Sequence, residues 1–326
     1  MDTETVTSTA MPLWVWLVFG AIIFILLFLD LKVFHRKSGV ITIKQSLLWT
    51  AFWISLALLF NMGIWLWHGG KPALNFLTCY LIEESLSVDN LFVFLMVFSF
   101  FSVPAAYQHK VLFWGIIGAI VLRLAFIEAG ATLLENFNWV FYIFGAFLVI
   151  AALRMAFQKE KELHPEKNPI LKILRKFVGV TNNYEGDRFF IKRFGKYVAT
   201  PLFIVVVVIE TTDLIFAMDS IPAAFSIVNV NTDPYAKFIV YTANIFAILG
   251  LRSLYFALAG IMPLFHYLKY GLVVVLTFVG IKMLLAQHYE IPTGIALGVV
   301  AVVLIIAVIA SVTRNRRNKS ADGTAQ

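Results

Sequence analysis

The sequence predicts an all-α polytopic membrane protein of about nine transmembrane helices with two inverted three-helix repeats. Three observations predict it. Residues are 60% hydrophobic and 14% charged, with mean hydropathy +0.85, whereas soluble domains carry about 25% charged residues. Apolar runs of about 18 residues or more recur along the chain, each long enough to cross roughly 30 Å of hydrocarbon. Basic residues concentrate in alternate connections between those runs.

In chain order the runs place spans at 13–34, 45–67, 74–101, 110–134, 137–157, 198–228, 236–260, 267–287 and 291–311. The first follows an acidic leader, Asp2 and Glu4, and positive charge trails it, so it reads as a retained helix rather than a cleaved signal. With residues 1–12 outside, the cytoplasmic connections hold Lys32, Arg36, Lys37, Lys44, Lys110, ten basic residues between Lys159 and Lys196, Lys269, and Arg314, Arg316, Arg317 and Lys319. The outside keeps only Lys71 and Lys237. The net charge of +7 therefore marks sidedness rather than nucleic-acid binding, with the C-terminus cytoplasmic and a bacterial inner membrane the simplest home.

The predicted layout is an extracytoplasmic segment 1–12, the first helices 13–157, a basic cytoplasmic linker 158–197, a second set of helices 198–311 and a tail 312–326. In the linker, Ile170, Leu171, Ile173, Leu174, Phe177 and Val178 interleave with Lys172, Arg175 and Lys176 at helical spacing. That predicts an amphipathic helix on anionic lipid. Thr200-Pro201 reads as an N-cap and first helical residue opening the sixth span.

Slid against itself by about 130 residues, the chain repeats. Glu83 and Asp89 match Asp213 and Asp219. Arg123 and Gly130 match Arg252 and Gly260. Phe137, Tyr142, Arg154 and Met155 match Phe265, Tyr270, Lys282 and Met283. The repeats cover about 74–157 and 198–287. Because the third span runs inward and the sixth outward, the two units are inverted, an arrangement that places transporter sites between them at mid-membrane.

Eight carboxylates fall within spans: Asp30, Glu83, Glu84, Asp89, Glu128, Glu210, Asp213 and Asp219. An Asp at mid-bilayer costs about 2.5–3.5 kcal/mol, so each calls for a reason. Glu210 and Asp213 share a helix face, while Asp219 points about 120° away from Asp213 in a regular helix. Pro222 predicts local unwinding over 217–222, which would bring carbonyl oxygens to the site. In the third span Glu83 and Asn90 share a face, with Asp89 adjacent and Ser87 near; Ser220 supports from the sixth. Glu84 ranks below Glu83, facing either the site or a neighbouring helix.

Such oxygen-only donors suit hard divalent cations, Mn²⁺, Mg²⁺ or Ca²⁺. All six His residues fall at span ends or in loops. Four or five carboxylates exceed one ion's charge, and protonation of the surplus would couple metal movement to protons. Arg123 and Arg252 read as charge-balancing residues. A structural alternative is that the acids lock helices together through them, but two arginines do not neutralise five acids. Glu128 reads as lining a helix interface, and Asp30 as a boundary residue. Glycines 115, 118, 145, 250 and 280 predict close helix packing. The single Cys79 precludes an intrachain disulfide. No catalytic motif appears, so the reading is a non-enzyme without a tightly bound cofactor.

The segments Tyr80–Phe94 and Glu210–Ala223, together with Ala247–Phe256, resemble the signature stretches of the TerC family, in its Alx-like bacterial branch. The similarity runs from about Leu13 to Thr313. It implies an inner-membrane protein of the LysE-type transporter group, associated with Mn²⁺ export and, by name, with tellurium resistance. Carried over by position, Glu83, Asp89, Glu210, Asp213 and Asp219 match the family's intramembrane acids; Glu84 stands where relatives can have Lys. The expected function is Mn²⁺ export through these carboxylates, with Asn90, Ser87 and Ser220 supporting and protons as counter-ion. The competing expectations are a non-transporting stress-response scaffold or pH/redox modulator that recruits partners through the linker, and, less favoured, a membrane oxidoreductase. Neither names a protein partner.

Overall fold

The computed structural model describes residues 11–35, 43–137, 139–157, 179–181, 183–193, 196–259, 267–285, 289 and 291–323. Among them the order is α1 (Leu13–His35), α2 (Ile43–His68), α3 (Gly70–Phe100), α4 (Ala105–Asn136), α5 (Val140–Phe157), β1 (Phe190–Arg193), β2 (Lys196–Ala199), α6 (Pro201–Phe225), α7 (Ala236–Ala259), α8 (Leu268–Leu285) and α9 (Thr293–Gly323). Helix is what lipid demands, since every backbone polar group must be satisfied within the segment. The hydroxyls obey the same rule: Thr50, Thr78, Thr211, Thr212, Thr277 and Ser311 each donate to a carbonyl one turn back.

Five described helical stretches are long and apolar enough to cross a membrane: Lys44–His68, Ala105–Asn136, Pro201–Phe225, Ala236–Ala257 and Thr293–Arg314. Shorter apolar stretches occupy Leu13–Phe28, Tyr142–Phe157 and Tyr270–Leu285. α3 carries the acids of the first cluster. Large apolar side chains face outward along the bundle, among them Phe24, Leu59, Ile150 and Ile306, a surface suited to lipid rather than water.

Side-chain contacts fix the helix directions. Cys79 meets Ala224, Glu83 and Ser220 meet on Arg123, and Asn90 meets Asp213, so α3 and α6 run antiparallel. α4 lies parallel to α6, Gly115 against Ile209 and Gly130 against Ile221 and Phe225. Its counterpart α7 lies parallel to α3, with Phe246 on Phe76 and Tyr255 on Phe98. α5 and α8 cross antiparallel where Gly145 meets Gly280 backbone to backbone. The α4–α6 packing thus has its partner in α7–α3, and the α3–α6 and α5–α8 contacts are their own counterparts, as an inverted repeat requires. α1 stacks Trp16 and Phe19 on Phe238, and α2 and α9 pack on α3.

Three local features differ from the sequence reading. α6 stays helical across 217–222; Pro222 falls within its last turn, where a single missing donor does not unwind it. α9 continues to Gly323, so helix replaces most of the expected tail. The linker's described part is a hairpin, Phe190 pairing with Ala199 and Arg193 with Lys196. The amphipathic segment 170–178 lies outside the described residues. Thr200 is the N-cap residue before Pro201, as expected, but its hydroxyl donates to Arg188 O at 2.7 Å instead of capping. That bond ties the hairpin to the start of α6. The α2–α3 break is one residue, Gly69 at φ 88°, a left-handed conformation that favours glycine.

Candidate functional site

The centre of the site is Arg123 of α4, 2% exposed. Its Nε donates to Asp213 Oδ2 and its Nη2 to Asp213 Oδ1, both at 3.0 Å. Nη1 donates to Glu83 Oε2 at 2.9 Å and approaches Ser220 Oγ at 3.4 Å. Asn90 touches the same group. Its amide nitrogen lies 3.4 Å from Asp213 Oδ1, but turned over the amide accepts from Arg123 Nη2 at 3.3 Å and donates to Leu86 O at 3.2 Å. The turned orientation uses both ends of the amide and is the better assignment.

Four of the eight residues singled out as ligands, Glu83, Asn90, Asp213 and Ser220, therefore converge, and they converge on a guanidinium. α3 of one repeat and α6 of the other supply the acids; α4 supplies the cation. The fork geometry of arginine explains the arrangement, since it can grip one carboxylate with two parallel bonds and a second with its remaining edge. Glu83 retains one buried oxygen, Oε1, without a hydrogen-bond partner among the described residues, and the same holds for Ser87 Oγ one turn on.

The other four are placed differently. Glu210 lies one turn before Asp213 with its carboxylate against Gly118 of α4, so closely that a methyl group there would overlap it. Both of its oxygens are buried without a hydrogen-bond partner among the described residues. Ser87 is buried on α3. Asp219 is half-buried on α6, beside Ser220. Asp89 sits on α3, its side chain outside the described residues. Glu84 faces α7 near Gly250 and bonds Tyr80. Arg252 is 1% exposed and, with Asp213, lines a cavity of about 10 Å³, space for about one water. No group of three or more Asp, Glu, His or Cys side chains is gathered to hold a metal ion among the described residues. Glu83 and Asp213 are engaged by arginine, not assembled with the other acids as a cage.

The two ends of the bundle around this site differ. Beyond Asn90 the α3 face becomes apolar, with Phe94, Val97 and Phe98 packed against Leu112, Ile116, Ile209 and Leu251. The 179–200 segment caps that end: the Tyr184 hydroxyl donates to Phe101 O at 2.7 Å, and Lys110 pairs with Asp187 at 2.9 Å. The Lys110 ammonium holds the Asp187 carboxyl below its ordinary range. At the opposite end Glu128 bonds Tyr241 and Lys237 of α7, the helix interface expected for it.

Residues 68–319 match the integral membrane protein TerC family. The chain belongs to the TerC family. An uncharacterised membrane protein of Myxococcus xanthus is 45% identical over 322 residues, covering 99% of both chains. A protein of Escherichia coli K12 named "Putative membrane-bound redox modulator Alx" is 44% identical over 318 residues, covering 94% of this chain and 97% of its own. A membrane protein of Rickettsia bellii is 44% identical over 299 residues, 92% of this chain and 97% of its own. No solved structure matches the chain. For this TerC protein the sequence names Arg123 as a charge-balancing residue, but spacing does not show which acids it lies between, Glu83 and Asp213.

Proposed function

We propose that this TerC protein exports a hard divalent cation, Mn²⁺ by family resemblance, from the cytoplasm of a bacterial cell across its inner membrane, with the N-terminus outside. The observation that carries the reading is the meeting of Glu83 and Asp213, from opposed repeats, on one buried guanidinium, that of Arg123. Such acids are costly in lipid unless compensated. Arg123 supplies the compensation in the ion-free state, acting as a resident cation.

Transport then requires an exchange. An arriving metal ion takes the carboxylate oxygens and Arg123 withdraws, with Asn90, Ser87 and Ser220 as neutral oxygen donors and Asp89, Glu210 and Asp219 as further candidate ligands. When the ion leaves, Arg123 returns, so the empty carrier does not carry bare charges through its conformational change. Glu210, whose two carboxylate oxygens are buried without a hydrogen-bond partner among the described residues, is the candidate proton carrier, and proton counter-transport is part of the proposal. Efflux of radioactive manganese from cells, or uptake into everted vesicles, tests it. Asp213→Asn at equal expression is expected to abolish the flux, and unchanged flux would sink the reading. A flux indifferent to an imposed pH gradient removes the proton and leaves the metal.

The second reading is a redox modulator, favoured by the name of the Escherichia coli relative. One cysteine, buried Cys79, cannot form a disulfide within the chain, so an effect on redox balance would run through metal levels or a partner.

A further inference from the structure

A cavity of about 580 Å³ opens at the α3 N-terminal end of the bundle, bounded by α3, α8, α9 and the α6–α7 connection. Its wall sets apolar residues such as Leu74, Phe225 and Ile291 beside a polar set unusual in so apolar a chain: Asn75, Ser226, Asn229, Thr232, Asp233 and Thr293. A hydrogen-bonded set organises part of that wall. Asn75 Nδ2 donates to Asp233 Oδ2 and Thr293 Oγ1 donates to Asn75 Oδ1, both at 2.9 Å. Exposed Thr232 and Gly294 mark its opening to the surface.

From this cavity a polar stripe descends along one face of α3. Asn75, Cys79, Glu83, Ser87 and Asn90 are spaced by four, four, four and three residues, so they share a face, and all five are buried. Cys79 Sγ lies 3.7 Å from Ala224 O on α6, one residue before Phe225 in the cavity wall and one turn above Ser220. Beneath Asn90 the stripe stops at the apolar layer of Phe94, Leu112, Ile116 and Leu251.

We propose that this cavity is the extracytoplasmic release mouth for the exported cation, joined to Glu83 by the α3 stripe, with the Phe94 layer closing the cytoplasmic side. The inference rests on the transport reading above. The mouth also has a direction built into its charge. Lys71 and Lys282 line it against the single carboxylate of Asp233, so it does not concentrate divalent cations from outside, as an efflux mouth should not.

Two measurements test the mouth. In full-length Cys79→Ala protein, Ser226→Cys should react with a membrane-impermeant methanethiosulfonate added to intact cells, while Leu112→Cys should resist it. Reaction of Ser226→Cys only from the cytoplasmic side, or equal outside reactivity of Leu112→Cys, overturns the proposal. Lys71→Glu, an exposed change, should raise Mn²⁺ entry from outside down its gradient by about three- to five-fold at low salt; unchanged entry overturns the electrostatic part. Labelling requires no flux, so a mouth that labels as expected in a protein that moves no metal refutes the transport reading alone. Flux without that labelling refutes the mouth alone.

Discussion

Replacing Arg123 by glutamine tests whether the guanidinium is the keystone of the acid site. The native group makes three charge-assisted hydrogen bonds, two to Asp213 at 3.0 Å and one to Glu83 at 2.9 Å. At about 1.5–3 kcal/mol each these total roughly 4–9 kcal/mol gross. Glutamine returns one amide bond, leaving an expected loss of about 3–5 kcal/mol, the range found when one partner of a buried pair is removed. Asp213→Asn keeps the 2.9 Å pair between Arg123 and Glu83, so its expected loss is smaller, about 1–3 kcal/mol. The double variant should lose less than the sum, because the two changes delete the same bonds. The assay is equilibrium unfolding in mixed micelles followed by circular dichroism. Additive losses, or Arg123→Gln as stable as Asp213→Asn, would refute the argument.

Gly118→Ala should leave unfolding within about 1 kcal/mol, because the flexible Glu210 end can move aside, yet it should slow manganese flux by displacing that carboxylate from α4. Gly280→Val has no such relief: a side chain there meets Gly145 O at 2.9 Å and Val149 N at 3.0 Å, and the expected cost is about 1–3 kcal/mol by the same unfolding assay. Because Lys110 holds the Asp187 carboxyl below its ordinary range, the contact is present above about pH 4 and is lost as pH falls through the lowered value. Protection of the 183–193 amides, taken relative to their intrinsic exchange rate at each pH, should therefore stay constant from neutral pH to about pH 5 and fall only below about pH 4. Arg123→Lys keeps the charge but cannot span Asp213 and Glu83 together, so metal should displace it more readily. The expected result is a lower half-saturating manganese concentration; a higher one contradicts the resident-cation mechanism.

Much of the fold was legible because lipid imposes a single rule. Runs such as Ala105–Asn136 and Pro201–Phe225 are apolar for their length and cannot leave their backbone unpaired. The acid clusters around Glu83 and Asp213 pointed to the third and sixth spans facing each other, as α3 and α6 do. What was not legible followed from contacts across 40 and 90 residues of chain, the separations of Arg123 from Glu83 and Asp213. Spacing tells which acids share a face, not which cation reaches them. The β1–β2 hairpin did leave a signal, β-prone Ile191 on one side of Gly195 and Tyr197-Val198 on the other, but the basic content pointed to lipid binding. Pro222 misled for a geometric reason, since its effect depends on how near the helix end it stands.

The arginine changes what the acid cluster means. A cage of four or five bare carboxylates would bind a divalent ion tightly and then hold it, and the empty cage would carry several charges in low dielectric. On the transport reading proposed above, with Arg123 seated between Glu83 and Asp213, ion binding would be an exchange of one cation for another, and the difference between two large energies would set the affinity. Release then needs no separate source of compensation, because the displaced guanidinium is tethered on α4 and competes for the same oxygens. On the same reading, the polar stripe from Asn75 to Asn90 and the apolar layer at Phe94 would give that exchange an open side and a closed side. Inverted repeats supply the remaining element: the same contacts made by the opposite unit would open the Phe94 side and close the other.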